Sequence, residues 1–201
     1  MDGIFLAMAA VETDIVDRSL VVRFARPEVR NPLSVSVLSQ LHTIIDDCEN
    51  NEGLSAVIFT GTGNVFASGA DLREIAEVTP DTAAEFARNG QALMSKIAAL
   101  PQTTIAAING YCFGGALDLA LACDRRVGSP NASFAHPGTG LGIITGWGGT
   151  QRLPRLVGTA FALELFFTAT PITAERGFEI RLVDEIADDP LALAIRFVAR
   201  A

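Results

Sequence analysis

Apolar residues along this chain alternate between two spacings: short runs that suit buried strands, and i, i+3, i+4 repeats that suit amphipathic helices. Residues 10–16 and 20–25 are β-rich runs on either side of Asp17-Arg18, which predicts a hairpin. Residues 26–32 hold two prolines and read as a loop. Ser34 is placed to cap a helix reaching residue 49, with Val37, Leu38, Leu41, Ile44 and Ile45 as its apolar face. A buried strand is expected at 56–60, a loop of glycine and small residues at 61–69, and a short helix at 70–76. Thr79-Pro80 supplies a cap and a first-turn proline for a helix that Pro101 ends. A strand at 105–108 is broken by Asn109-Gly110, and Gly114-Gly115 then opens another helix. Short strands are expected at 126–129 and 132–134, and helices at 150–157, 160–168 and 173–179. A strand at 182–186 and a last helix from Asp189-Pro190 to residue 201 complete the pattern. Strands alternating with helices predict α/β layers with a mainly parallel core.

Two stretches carry chemistry. A helix opened by Gly114-Gly115 presents unpaired N–H groups and the positive end of its dipole, and glycine lets a ligand come close to that backbone. Such a place can hold a carbonyl oxygen that becomes negative during a reaction. Asp118, alone among Leu117, Leu119, Ala120 and Leu121, lies about one turn further on. The second stretch is residues 138–149, with glycine at 138, 140, 142, 146, 148 and 149 and a tryptophan at 147; a loop of this length points to function.

Composition narrows the field. The 201 residues allow one domain, 1–201, with 1–10 as a flexible N-terminus. A net charge of −8 with no basic stripe argues against a nucleic-acid partner, so an anionic ligand must rely on local donors. Cys48, Cys112 and Cys123 are odd in number and lack metal spacing, which fits reduced thiols of a cytoplasmic protein. No apolar run approaches the roughly 18–20 residues of a membrane span. Dinucleotide and phosphate-loop glycine signatures are missing, as is a nucleophile elbow, and His42 and His136 make no familiar metal spacing with the cysteines.

Three segments together resemble the crotonase (enoyl-CoA hydratase/isomerase) superfamily: Val65-Phe66-Ala67-Ser68-Gly69-Ala70-Asp71-Leu72; Asn109-Gly110-Tyr111 through Gly114-Gly115-Ala116-Leu117-Asp118-Leu119-Ala120 to Cys123-Asp124; and Gly148-Gly149-Thr150-Gln151-Arg152-Leu153-Pro154-Arg155-Leu156-Val157-Gly158. Arg26-Pro27 followed by Asn31 and Leu33 fits the early loop of that family. The resemblance implies a crotonase-type spiral of ββα units and an acyl-CoA ligand, with CoA as part of the substrate and no separate cofactor or metal. It implies an oxyanion hole from the backbone amides of Ala70 and Gly115, and contacts to the CoA end from Ala25, Ala67, Asp71 and Leu72, with Arg30 as a phosphate partner. Asp71 is expected to steady the hole by backbone bonds, and a homotrimer or dimer of trimers is implied.

Departures from the family pattern matter as much. Hydratases of the family use two glutamates; the first aligns with Asp118 and the second with Gly138, which has no group to move a proton. His136, two residues away, is a candidate replacement acid or base, its ring titrating near neutrality when unperturbed. Trp147 stands where a small residue is usual and is expected to fill the pocket or an interface. The helical part over 150–201 is short for the family, which implies a more open pocket, a pocket closed by a neighbouring subunit, or a sequence that is itself a shortened piece. The expectation is an enoyl-CoA hydratase or isomerase with Asp118 as acid/base; the alternative is a catalytically weak or inactive acyl-CoA binder.

Overall fold

The computed structural model describes residues 9–199, so the expectation for residues 1–10 lies almost wholly outside them. β1 (Val11–Val16) and β2 (Ser19–Phe24) pair antiparallel. Asp17 and Arg18 turn between them at φ 46° and 62°. Two successive left-handed residues give the tight turn whose twist matches that of paired strands. After β3 (Pro32–Leu33) comes α1 (Val35–Glu49), where Ser34 Oγ accepts from the Val37 N–H as the sequence predicts. β4 (Ala56–Thr60) is buried throughout.

The expected loop at 61–69 instead contains β5 (Val65–Ala67) and enters β6 (Gly69–Ala70). These strands are too short to show alternation, and their partners lie far along the chain. β6 delays the next helix, α2 (Leu72–Ala76), to one turn capped by Asp71. The long helix α3 (Ala83–Ala99) starts three residues later than Thr79-Pro80 indicates. Those residues form a separate turn, closed by the Ala83 N–H donating to Thr79 O and the Thr79 N–H donating to Thr82 Oγ1.

β7 (Thr103–Ile108) leads into β8 (Tyr111–Phe113), a strand the sequence pattern concealed behind Asn109-Gly110, and then α4 (Gly115–Ala122). β9 (Arg125–Gly128) and β10 (Ser133–Ala135) follow, then the glycine-rich connection, α5 (Gly149–Val157), α6 (Thr159–Thr168), β11 (Ile172–Thr173) and α7 (Ala174–Glu179). The strand expected at 182–186 shrinks to β12 (Glu185–Ile186), because the Leu182 and Val183 amides both donate to Gly177 O at the end of α7. The last helix, α8, spans Pro190–Val198.

The main sheet has the order β1-β2-β4-β7-β9-β12 and is parallel apart from the first hairpin. A second sheet runs β11-β10-β8-β5, and β3 pairs with β6. Each turn of the chain thus places one strand in the main sheet, the next in the second sheet, and then a helix: β4, β5 and α2–α3; β7, β8 and α4; β9, β10 and α5. This is a spiral of ββα units, repeated in space without a repeat in sequence.

The central strands β4 and β7 of the main sheet are buried on both faces, which is why they read as continuous apolar runs. Alternate residues separate the two sides. Val57, Phe59, Ala106 and Ile108 join the large core, where Phe24 meets Phe66 edge-on with ring centres 5.5 Å apart. Ile58, Ile105 and Ala107 point the other way, under α8 and its Ala194. α8 therefore covers the far face of the sheet and supplies no part of the cavity described below.

Candidate active site

The site is built where β6 crosses the start of α4. Gly114 adopts φ 54°, ψ −122°, and its N–H donates to Ala135 O at 2.9 Å, which anchors the turn to β10. Gly69 has φ 89°, and a Cβ there would lie 2.6 Å from Phe113 O and 2.7 Å from Gly115 N. Only glycine lets the two backbones come this close. Ala70 is thereby set beside Gly115, whose N–H meets no acceptor among the described residues.

Both residues line a cavity of about 390 Å³. Its walls are mostly apolar, from Leu72, Ile75 and Val78 around α2, Phe86 on α3, and Leu141, Ile143, Ile144 and Trp147 in the glycine-rich connection. His136 and Gly138 also border it, so the structure gathers Ala70, Leu72, Gly115, His136 and Gly138 around one space. At Gly138 a Cβ would come 2.8 Å from Ile143 O, and the Ile143 N–H donates to Gly138 O at 3.0 Å. The connection folds back onto this position and fills the room a longer side chain would need.

Trp147 is wedged between two helices. A methyl at Gly90 of α3 or at Gly115 of α4 would overlap its indole, and Phe86 packs on it with ring centres 5.9 Å apart. The expectation that it fills the pocket therefore agrees with its position.

Asp118 is fully buried and does not border the cavity. Thr145, which does, donates its hydroxyl to Asp118 Oδ2. A Cβ at Gly149 would overlap Oδ1, so the start of α5 makes room for the carboxyl. Burial raises the Asp118 pKa to about 7, with the Thr145 hydroxyl, the Trp147 and Gly149 amides and the Arg152 charge pulling back against it. His136 Nε2 lies 3.7 Å from Asp118 Oδ1, and burial lowers the histidine to about 4, leaving it neutral at pH 7.

The family model described as enoyl-CoA hydratase/isomerase matches residues 17–194. The chain belongs to this family. It is similar to YngF of Bacillus subtilis (strain 168), 45% identical over 162 residues, which are 80% of this chain and 62% of that protein. It is also similar to the short-chain-enoyl-CoA hydratase of Clostridium acetobutylicum, 39% identical over 169 residues, 84% of this chain and 65% of that one. The chain therefore spans under two thirds of the length of these curated relatives. Among solved structures, the enoyl-CoA hydratase from Bacillus anthracis superposes with a TM-score of 0.91 at 34% identity, covering 96% of this chain and 76% of that one.

The remaining residues singled out from the family pattern lie outside the cavity wall. Ala25 and Ala67 are buried, and the Asp71 carboxyl is held below its usual range chiefly by hydrogen bonds from the Arg73 guanidinium. Asp71 also accepts the Arg73 N–H at 2.9 Å, so it caps α2 directly after Ala70. Arg30 sits at φ 64°, its carbonyl accepts the N–H of cavity-lining Ser68, and its guanidinium lies 6.0 Å from the Tyr111 ring centre. Asp124, just past the end of α4, accepts the Thr104 N–H at 2.8 Å and the Thr104 hydroxyl at 2.9 Å, which ties the helix end to strand β7.

Sequence reasoning gave no role to Asn31, Asn109 or Thr145. Asn31 donates to Val65 O and Phe66 O and accepts the Arg26 N–H. Asn109 accepts the Gly61 N–H and donates to Gly63 O. Together they fix the segment that delivers Ala70. Asn31 at least stood in a two-proline turn, where asparagine tolerates the left-handed φ of 48° it adopts. Nothing in sequence marks Thr145 as the cover of Asp118. Among the described residues, no helix is long and apolar enough to cross a membrane, and no group of three His, Cys, Asp or Glu side chains gathers as a metal site.

Proposed function

We propose that the protein acts on an acyl-CoA thioester, adding water to or moving a carbon–carbon double bond near the carbonyl. The observation that carries this is the meeting of Ala70 with the unengaged Gly115 amide in an apolar cavity, one helical turn from Asp118. In this reading the Ala70 and Gly115 N–H groups donate to the thioester oxygen, and negative charge collects there as a proton leaves the adjacent carbon. A donor lost from such a hole typically costs about 3–4 kcal/mol of transition-state stabilisation. Asp118 is the acid/base that moves the proton. Hydration asks for a second group where Gly138 stands; a proton shifted between two carbons of one substrate asks only for the carboxyl, so double-bond migration is the less demanding half of this chemistry. Arg30 meets a phosphate of CoA, which enters as part of the substrate. The working form in this reading is a cytoplasmic homotrimer or dimer of trimers.

Turnover of crotonyl-CoA and of a 3-enoyl-CoA, compared between wild type and Asp118→Asn, tests the reading. A loss of about 10²–10⁴-fold is expected; equal rates would remove Asp118 from the chemistry.

A second reading is favoured by one observation, the closure of Asp118 behind Thr145: the protein binds acyl-CoA and turns it over weakly or not at all. Calorimetry with an unreactive acyl-CoA separates the two, since binding without turnover selects the second and no binding removes both.

A further inference from the structure

Asp118 Oδ1 and both ring nitrogens of His136 are buried side by side without a well-formed hydrogen bond among the described residues, the Trp147 and Gly149 amides standing near the carboxyl but poorly aligned with Oδ1. His136 is 3% exposed and Asp118 0%. The imidazole is fixed where it is: it packs on Phe166 with ring centres 5.0 Å apart, and a Cβ at Gly149 would come 3.1 Å from its Cε1. Buried polar groups left unpaired each cost about 1–3 kcal/mol. Here two of them face each other, and closing the 3.7 Å gap between Nε2 and Oδ1 by about 1 Å would satisfy both.

We propose that His136 and Asp118 form a buried proton-sharing pair, in which His136 serves as a positioning residue that accepts and returns the proton held by Asp118. His136 thus replaces the missing second carboxyl through Asp118: its ring edges the cavity, but the proton it moves is the one held by Asp118. The proposal rests on the acyl-CoA reading only for the use made of the proton; the pair itself is a property of the folded chain.

The steps balance. At rest the carboxyl holds the proton and the imidazole is neutral, in keeping with the opposite displacement of the two groups by burial. Passing that proton to Nε2 leaves a carboxylate and an imidazolium. With the Thr145 hydroxyl turned aside so that Asp118 meets the cavity, the carboxylate takes a proton from the carbon beside the thioester; the C–H electron pair stays on the substrate as an enolate. The carboxyl then gives that proton to the other carbon, an O–H bond breaking as a C–H bond forms, and the imidazolium restores the first proton to Asp118. No proton is drawn from water. Arg152 on α5 and Cys112 on β8 are the other titratable groups acting with Asp118; the Cys112 thiol is pushed well above its usual range by burial, then by Cys123 and Asp118.

NMR of the wild-type protein tests this without substrate and without a variant that has to fold. Followed from about pH 5 to 9, the carboxyl ¹³C signal of Asp118 should titrate near 7, and the Nε2 ¹⁵N signal of His136, its ring neutral throughout, should move with that same midpoint as the proton it shares with the carboxyl leaves. A ring that stays flat while the carboxyl titrates overturns the pair. In the 3-enoyl-CoA assay, His136→Gln should lower kcat at least about tenfold at unchanged KM and move the kcat midpoint by about one pH unit; an unchanged kcat and midpoint overturns it as well. Common titration in a protein that turns over no thioester would uphold the pair and reject the catalytic reading.

Discussion

Between about pH 4 and 6.5 an unfolded chain carries Asp118 ionised and His136 protonated. Folding reverses both, since burial raises the carboxyl to about 7 and lowers the imidazole to about 4. Each state then binds one proton across the two residues, and their joint contribution to the pH dependence of stability is nearly flat in that window. Removing one member uncovers the other. With Asp118→Asn only the histidine remains; the unfolded chain binds the extra proton, so stability should climb relative to wild type as pH rises from about 4 to 6.5. With His136→Gln only the carboxyl remains; the folded protein binds the extra proton, so stability should fall relative to wild type as pH rises from about 4 to 7. Urea titrations at a series of pH values read these slopes, and slopes of the same sign in both variants would contradict the arrangement. Thr145→Val removes a hydroxyl that favours the carboxylate, so the Asp118 midpoint should move up, by NMR or by the kcat profile. At this scale the identity of Asp118, the glycines beside it and the loss at Gly138 were legible from sequence. Its seclusion was not, because Thr145 lies 27 residues away and approaches only through the folded connection.

Elements were legible where their causes are local. The first hairpin, α1 and β4 follow from turn residues, a cap and an apolar run within a few positions. β5, β6 and β8 escaped because each is two or three residues long and is defined by pairing with distant strands: β5 with β8, β6 with β3, and β8 with β10. Their placement depends on side chains that act as ties. Asn31→Ala would leave Val65 O, Phe66 O and the Arg26 N–H without that partner, and should cost about 2–4 kcal/mol in urea unfolding. Acyl-CoA affinity should fall with it, since the same tie holds the approach to Ala70. Gly90→Ala tests the packing of α3 against the site: its methyl would overlap the Trp147 indole, so a loss of about 1–3 kcal/mol is expected in the same measurement. An unchanged midpoint would mean that the indole is not held as described.

On the scale of the whole molecule, the alternation of strands and helices anticipated α/β layers with a mainly parallel core, and the resemblance of three segments to the crotonase superfamily anticipated the spiral of ββα units. The division of the main sheet between two cores was hidden, because fully apolar strands such as β4 do not show from sequence which side faces which helix. That division has a consequence for the C-terminal segment. Arg126, buried in β9, donates to Leu182 O and Cys123 O and pairs with Asp184 at 3.0 Å, directing the chain toward β12 and α8. Ending the chain after Asp189 would uncover Ile58, Ile105, Ala107 and Val127 on an open sheet face. Expression of that shortened form should give aggregated protein or a loss of more than about 3 kcal/mol, read by soluble yield and urea unfolding.

The indole clasped by Gly90 and Gly115 belongs to the sole tryptophan of the chain, and it touches the residue whose amide would grip a thioester. Its fluorescence is accordingly a built-in optical gauge of occupancy: whatever settles against the start of α4 should perturb one emission band, with no dye and no second tryptophan to mask it.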